Sequence, residues 1–258
     1  INMGIIKDSL TFDDVTLIPS FSSILPSEAI TTTDLGQKLR LKIPLMSSAM
    51  DTVTEAKMAI ALSKAGGLGV IHRNLSIESQ VKEVKKVKRS KCIVGAAIGV
   101  SEKDLERAIE LNKADVDLLI IDTAHGHTTK VSKMIKNVKK KISRVNLCAG
   151  NIATGKAAKF LADSGADIVK VGIGPGSICT TRLVAGIGVP QLSAIIDVKK
   201  SLRNYKTKII SDGGIKFSGD LAKGLAAGAD CIMIGSLFSG TNESPGKIIK
   251  IKGKLYKN

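Results

Sequence analysis

The chain has 258 residues, 43% of them hydrophobic and 24% charged, with 25 glycines and six prolines, a balance that excludes a disordered or collagen-like chain and suits one α/β domain of the larger kind. Aromatic residues make up 3%, with no Trp and two Tyr, so the core is aliphatic and a base-stacking platform for single strands has little to stand on. Lys and Arg outnumber Asp and Glu by 39 to 23, a formal net charge of +16, which admits nucleic acid, acidic membranes or anionic small molecules as partners and chooses none of them.

The first patterned segment, Leu10 to Pro19, is apolar and polar in turn and is expected to form a hairpin that plugs one end of the fold. From there, short aliphatic runs alternate with amphipathic helical stretches. Strands are predicted at Pro44 to Ser48, Gly69 to His72, Ile93 to Ile98, Asp117 to Asp122, Asn146 to Gly150, Asp167 to Gly172, Lys208 to Asp212 and Asp230 to Gly235. Helices are predicted at Glu55 to Ala65, Ile77 to Arg89, Lys103 to Lys113, Lys130 to Lys141, Lys156 to Ser164, Leu192 to Arg203 and Gly219 to Ala227.

The basic excess falls in Lys82 to Lys91, Lys130 to Arg144 and Lys247 to Lys257. In the second, Val131, Met134, Ile135, Val138 and Ile142 recur at helical spacing and leave the lysines on the other side, as on a solvated helix face. Nucleic acid is therefore not the expected partner. Ser164-Gly165-Ala166-Asp167 and Ala227-Gly228-Ala229-Asp230 repeat one helix-ending, strand-opening signal. Eight βα units in a single domain, residues 1–258, point to a (β/α)8 TIM barrel. A doubly wound sheet is the alternative, but Ala49-Met50-Asp51 stands where a dinucleotide fingerprint would follow the first strand.

Four cysteines form no CxxC pair, so neither a zinc site nor a disulfide framework is signalled, and a reducing, cytoplasmic setting is expected. Ile1 to Lys7 is too short for a signal-peptide core, and no apolar run reaches the roughly 18 residues that span a bilayer.

In such barrels the loops after the strands build the active site. They hold Ser48, Met50, Asp122 to His127, Asn151, Gly172 to Arg182, Asp212 to Gly214, Gly235 and Ser236. The long interval after the sixth strand, GIGPGSICTTR, carries three alternating glycines whose main chain suits a phosphate or a cation. Cys92, Cys148 and Cys231 lie among apolar residues and read as packing, whereas Cys179 sits among Gly, Ser and Thr and is a candidate nucleophile. His125 and His127 could face the site but make a poor metal pair; His72 reads as a hydrogen-bonded core residue. The glycine-rich ends Asp212-Gly213-Gly214 and Gly235-Ser236 follow strands seven and eight, the phosphate cup of this fold. Asp122 and Asp212 could each accept from a ribose diol, or each cap the following loop.

GIGPGSICTTR followed by LVAGIGVPQ resembles the cysteine loop of the inosine 5′-monophosphate (IMP) dehydrogenase family. So do LTFDDVTLIP, SSAMDTVTE, GGLGVIHRN, DTAHGH, AGNI, SDGGIKFSGD and GSLFSGTNESPG, in the family's order over nearly the whole chain. The resemblance implies that Cys179 attacks C2 of IMP, that hydride passes to NAD, and that water releases xanthosine monophosphate, with Thr181 beside the reacting base. It implies substrate contacts from Ser48, Met50, Asn151, Ser177, Asp212, Gly213, Gly214, Gly235 and Ser236. Asp122, Thr123, Ala124 and Gly172 would face NAD, and carbonyls of Gly174, Gly176 and Cys179 would hold potassium. It also implies a homotetramer. Guanosine monophosphate reductase shares the barrel and the loop but departs after the arginine, where this chain keeps VAGIGVPQ. Two features depart from the family pattern. At Ser90 and Lys91, where family members carry a regulatory CBS pair, the helix runs almost directly into the third strand, and the sequence stops at Asn258, ahead of the family's C-terminal flap; both segments are absent either from the protein or only from this stretch of it. Without the flap, the chain as it stands is expected to form the covalent adduct and hydrolyse it poorly.

Overall fold

A computed structural model describes residues 8–36, 39–142, 144–176, 180–251 and 254–257. Eight parallel strands close into a barrel: β1 (Leu45–Ser47), β2 (Leu68–Ile71), β3 (Val94–Ile98), β4 (Leu118–Asp122), β5 (Asn146–Ile152), β6 (Ile168–Val171), β7 (Lys208–Asp212) and β8 (Cys231–Ile234). Each pairs with its sequence neighbours, and β8 closes the ring on β1 with Ile232 opposite Leu45. Seven helices cover the outside: α1 (Ala56–Lys64), α2 (Ile77–Arg89), α3 (Glu102–Lys113), α4 (Thr129–Lys141), α5 (Gly155–Asp163), α6 (Gln191–Ser201) and α7 (Ser218–Ala226). The (β/α)8 reading and the element bounds stand to within a residue or two. The eighth unit differs from the other seven: β8 is followed by a one-turn helix, Ser236–Ser239, and then an antiparallel hairpin, Ile248–Ile251 with Lys254–Lys257.

Local chemistry explains why the helices begin where they do. Ser76, Ser101, Thr128 and Thr154 each turn a side-chain oxygen onto a main-chain N–H in the first turn of α2, α3, α4 and α5, satisfying donors that have no partner within the helix. On α4 the buried side is Val131, Ser132, Met134, Ile135 and Val138, and Lys130, Lys133, Lys136 and Lys140 are exposed. The basic run is a solvated helix face. Among the described residues no helix is long and apolar enough to cross a membrane.

Two concentric cores follow from the period-two alternation of the strands. Outward-facing residues such as Ile71, Leu119, Ile121 and Val169 pack under the helices. Inward-facing Met46, Leu68, Val70, Leu118, Ile120, Cys148, Ile168, Ile210, Cys231 and Met233 fill the barrel. Cys92, Cys148 and Cys231 are buried and unbridged, and burial pushes the thiols of Cys148 and Cys231 up, so they are packing groups rather than reactive ones.

The plug is not where the sequence pattern placed it. Leu10 to Pro19 forms no hairpin: it makes one 3-10 turn, Phe12–Asp14, and otherwise runs along the outside. Phe12 is buried against Gly214 and Gly224, Lys223 Nζ donates to its carbonyl at 2.7 Å, and the Leu10 N–H donates to Ser193 Oγ at 2.8 Å. The closed end is made by a short antiparallel ribbon, Thr33–Asp34 with Arg40–Leu41. Its Leu35, Leu39 and Leu41 complete the inner core beside Leu68 and Leu118, and Thr33 Oγ1 donates to the Asp230 carbonyl just before β8. Leu35 is fully buried, so Leu35→Ala should cost about 2–5 kcal/mol in denaturant unfolding. Lys136→Ala, on the exposed face of α4, should change stability by no more than about 0.5 kcal/mol.

Candidate active site

The inward alternation that fills the barrel with aliphatic side chains turns polar at the other end of the strands. Two residues beyond Met46, Ile120, Ile168 and Ile210 stand Ser48, Asp122, Lys170 and Asp212. Lys170 is 4% exposed, and its Nζ lies between Asp122 Oδ1 at 2.9 Å and Asp212 Oδ2 at 2.6 Å. Asn151 Nδ2 donates to the same Asp212 Oδ2 at 2.9 Å and to the Gly172 carbonyl at 2.8 Å.

The charge states follow from this arrangement. Burial by itself would discharge the Lys170 amine, but Asp122 and Asp212 together outweigh it and push its pKa well up. The Lys170 charge in turn holds the Asp122 carboxyl below its usual range, against the opposing effect of burial. Because the folded value is the lower one, Asp122 contributes stability in full above the unfolded-chain pKa of about 3.9 and loses it as the pH falls through the folded value.

Neighbouring segments fix this layer. Thr54 Oγ1 donates to the Ser48 carbonyl at 2.7 Å and lies 2.8 Å from Ser47 Oγ, pinning the turn after β1. The Thr123 N–H donates to the Gly150 carbonyl at 3.0 Å and the Asn151 N–H to the Thr123 carbonyl at 2.8 Å, and Thr123 Oγ1 adds a further bond to the Gly150 carbonyl at 2.7 Å. Gln191, buried at the start of α6, donates to the Val171 and Asp212 carbonyls and to Ser211 Oγ. The loops after β6 and β7 approach so closely that a Cβ on Gly172 would lie 2.0 Å from the Asp212 carbonyl. Gly213 has φ +89°, and a Cβ there would lie 3.1 Å from both Pro175 Cγ and Gly176 N, a conformation and a clearance that glycine meets without strain.

Two adjoining cavities open over this layer. The larger, about 420 Å³, is bounded by Gly174, Pro175 and Gly176 on one side and by Gly213, Gly214, Gly235 and Ser236 on the other. The smaller, about 260 Å³, is bounded by Asp122, Thr123, Ala124, Lys170 and Thr181. Ser48, Met50, Asn151, Gly172, Gly174, Asp212 and Met233 line both, so ligands in the two would lie side by side. Ser48 Oγ and Asn151 Oδ1 are buried on this shared wall without a hydrogen-bond partner among the described residues. Such orphaned atoms suit a polar ligand.

The structure thus brings together Ser48, Met50, Asp122, Thr123, Ala124, Asn151, Gly172, Gly174, Gly176, Thr181, Asp212, Gly213, Gly214, Gly235 and Ser236. Ser177 and Cys179 lie outside the described residues. Asp122 and Asp212 are not loop caps: both carboxylates bond the Lys170 ammonium. Three other expectations change. His125 is exposed, and His127 packs on Phe160 of α5 with ring centroids 4.9 Å apart; neither lines a cavity. His72 is buried, but neither ring nitrogen has a hydrogen bond among the described residues, and Glu55 Oε1 stands 3.5 Å from Nε2. No cluster of metal-ligating side chains occurs among the described residues.

Sequence reasoning missed Lys170 and Gln191. The signal for Lys170 was a lone charge inside the apolar run Ile168-Val169-Lys170-Val171, at the spacing of the inward face. For Gln191 only its place at the end of VAGIGVPQ stood out, and its role as a brace is a tertiary one.

Residues 9–258 match the family model described as IMP dehydrogenase / GMP reductase domain. The chain is 47% identical to an inosine-5′-monophosphate dehydrogenase of Borreliella burgdorferi, with 98% of this chain and 75% of that protein covered. It is 42% identical to the enzyme of that name from Cryptosporidium parvum, covering 98% and 73%, and 34% identical to that from Aquifex aeolicus, covering 98% and 78%. The last alignment runs over 380 positions, so that relative carries residues within the matched span that this chain lacks.

Asp212→Asn leaves the buried Lys170 ammonium with one carboxylate, and should lower unfolding stability by about 3 kcal/mol in chemical denaturation at pH 7.

Proposed function

Because the chain belongs to the IMP dehydrogenase / GMP reductase family, we propose that it is an NAD-dependent IMP dehydrogenase. It oxidises IMP to xanthosine monophosphate, a step of guanine nucleotide synthesis. The observation that carries this reading is the pair of contiguous cavities over one polar layer, which suits two nucleotide ligands held side by side with a shared wall.

The larger cavity takes IMP. Gly213, Gly214, Gly235 and Ser236 supply a small-residue rim on which main-chain N–H groups can approach the phosphate, and Asp212 accepts from the ribose diol. Ser48, Met50, Asn151 and Ser177 hold the rest of the nucleotide. Anchoring at the phosphate binds the substrate far from the reacting carbon and orients it. Cys179 supplies the thiolate that adds to C2 of the purine, with Thr181 beside the base. Water later attacks the same carbon, and the carbon–sulfur bond breaks to return the thiol.

The smaller cavity fits NAD: Asp122 has a carboxylate oxygen free for a ribose diol, and Thr123, Ala124 and Gly172 offer the close main-chain approach a dinucleotide needs. When bound, NAD accepts the hydride that leaves C2. Potassium is assigned to the carbonyls of Gly174, Gly176 and Cys179, a neutral oxygen donor set of the kind that replaces an alkali cation's hydration shell.

We place the enzyme in the cytoplasm, on its use of cysteine as an unbridged core residue, and in a homotetramer. Ile18, Phe21 and Ile30 are 90%, 92% and 86% exposed along the N-terminal strap, an apolar surface of the kind a neighbouring subunit covers. The short connection between Arg89, which ends α2, and Val94, which opens β3, is where a regulatory CBS pair is accommodated in the family.

The test is NADH formation, followed by absorbance, when the full-length protein is given IMP and NAD, set against NADPH consumption with guanosine monophosphate. Production of NADH together with xanthosine monophosphate is expected. Cys179→Ala should abolish turnover while IMP binding persists. Consumption of NADPH with guanosine monophosphate in place of NADH formation would reassign the chain within its family, and retained turnover in Cys179→Ala would remove the nucleophile.

A further inference from the structure

Lys170 does more than neutralise charge. A buried lysine is costly to desolvate, and a hydrophobic side chain of similar volume is often as stable in such a place. Its geometry is specific. It reaches Oδ1 of Asp122 and Oδ2 of Asp212, and Asn151 donates to that same Oδ2 of Asp212. Among the described residues, the remaining oxygens, Oδ2 of Asp122 and Oδ1 of Asp212, accept no hydrogen bond. Asp122 lines the smaller cavity alone of the two, whereas Asp212 lines both. Each carboxylate therefore has one oxygen fixed from below and one left for a ligand hydroxyl. Without the ammonium, two carboxylates close enough to touch one nitrogen would repel each other and share a proton or turn apart.

We propose that Lys170 is a positioning residue shared by both subsites: it aims one carboxylate at each ligand and ties the grip on one ligand to the grip on the other. The inference rests on the reading that two diol-bearing nucleotides occupy the two cavities. Lys170 borders the smaller cavity, but its ammonium is directed at the two carboxylates. It acts through Asp122 and Asp212, so a change on the Asp122 side is transmitted to the larger cavity through the one nitrogen both carboxylates share.

Full-length protein carrying Lys170→Gln, Lys170→Arg or Asp122→Asn tests this, with KM and kcat for IMP and NAD and with calorimetric binding of IMP in the absence of NAD. Lys170→Gln should raise the KM of both ligands at least about tenfold, the equivalent of one charge-assisted hydrogen bond. Its kcat should fall by less than either KM rises, and Lys170→Arg, which keeps the charge, should recover part of both losses. Asp122→Asn, remote from the phosphate rim, should weaken IMP binding at least about threefold with no NAD present. A merely structural lysine would lower the melting temperature and leave the affinities of the folded protein alone.

A folded Lys170→Gln in which only one KM rises, or neither, overturns the proposal. So does Asp122→Asn that binds IMP within threefold of the parent, and this second result decides alone if Lys170→Gln does not fold. A parent protein that binds neither nucleotide overturns the functional reading and this inference with it, whereas a binding parent with insensitive variants overturns only the inference.

Discussion

The active end of the barrel is organised around one buried cation held by two carboxylates. Lys170, Asp122 and Asp212 come from three different strands, and none of them could occupy its place with the other two absent. An unpaired ammonium or carboxylate at that depth would be neutralised or driven toward water. The floor of both cavities therefore has its charge and its shape set together; Asn151 extends the same network to the main chain just after β6, and Gln191 ties the ends of β6 and β7 to the first turn of α6.

That network needs a rigid frame, and the frame has one open end. The inner aliphatic core and the Leu35, Leu39 and Leu41 ribbon close the N-terminal side, so the polar layer faces the cavities at the other end. Phe12, wedged between Gly214 and Gly224, supports the loop after β7 from outside. The motif around Phe12 thus serves the site although it contributes nothing to either cavity wall.

Much of this is legible in the sequence. Parallel barrel strands are buried on both faces and read as continuous apolar runs, and amphipathic spacing marks the stretches between them, so eight strands and seven helices could be placed almost to the residue. The loop residues around both cavities follow from the rule that function gathers at the carboxyl ends of the strands. The plug was misplaced because alternation in Leu10 to Pro19 mimics a strand, although Leu17 and Ile18 are 51% and 90% exposed. The ribbon that does the sealing has only two paired residues on each side, too few to show a pattern. Lys170 escapes a reading of the loops because its side chain enters the site from within a strand.

The joint between α2 and β3 has a consequence for control. Lys88 and the Val94 N–H both bond Asp117, just ahead of β4, which ties this joint to the sealed side of the barrel. A domain seated between Ser90 and Lys91 would stand a full strand length from either cavity, with the packed interior between. From that seat a command can travel by tilting α2 or by shifting the root of β3, so the joint offers a route by which regulation acts on the frame and leaves the chemistry's own residues untouched.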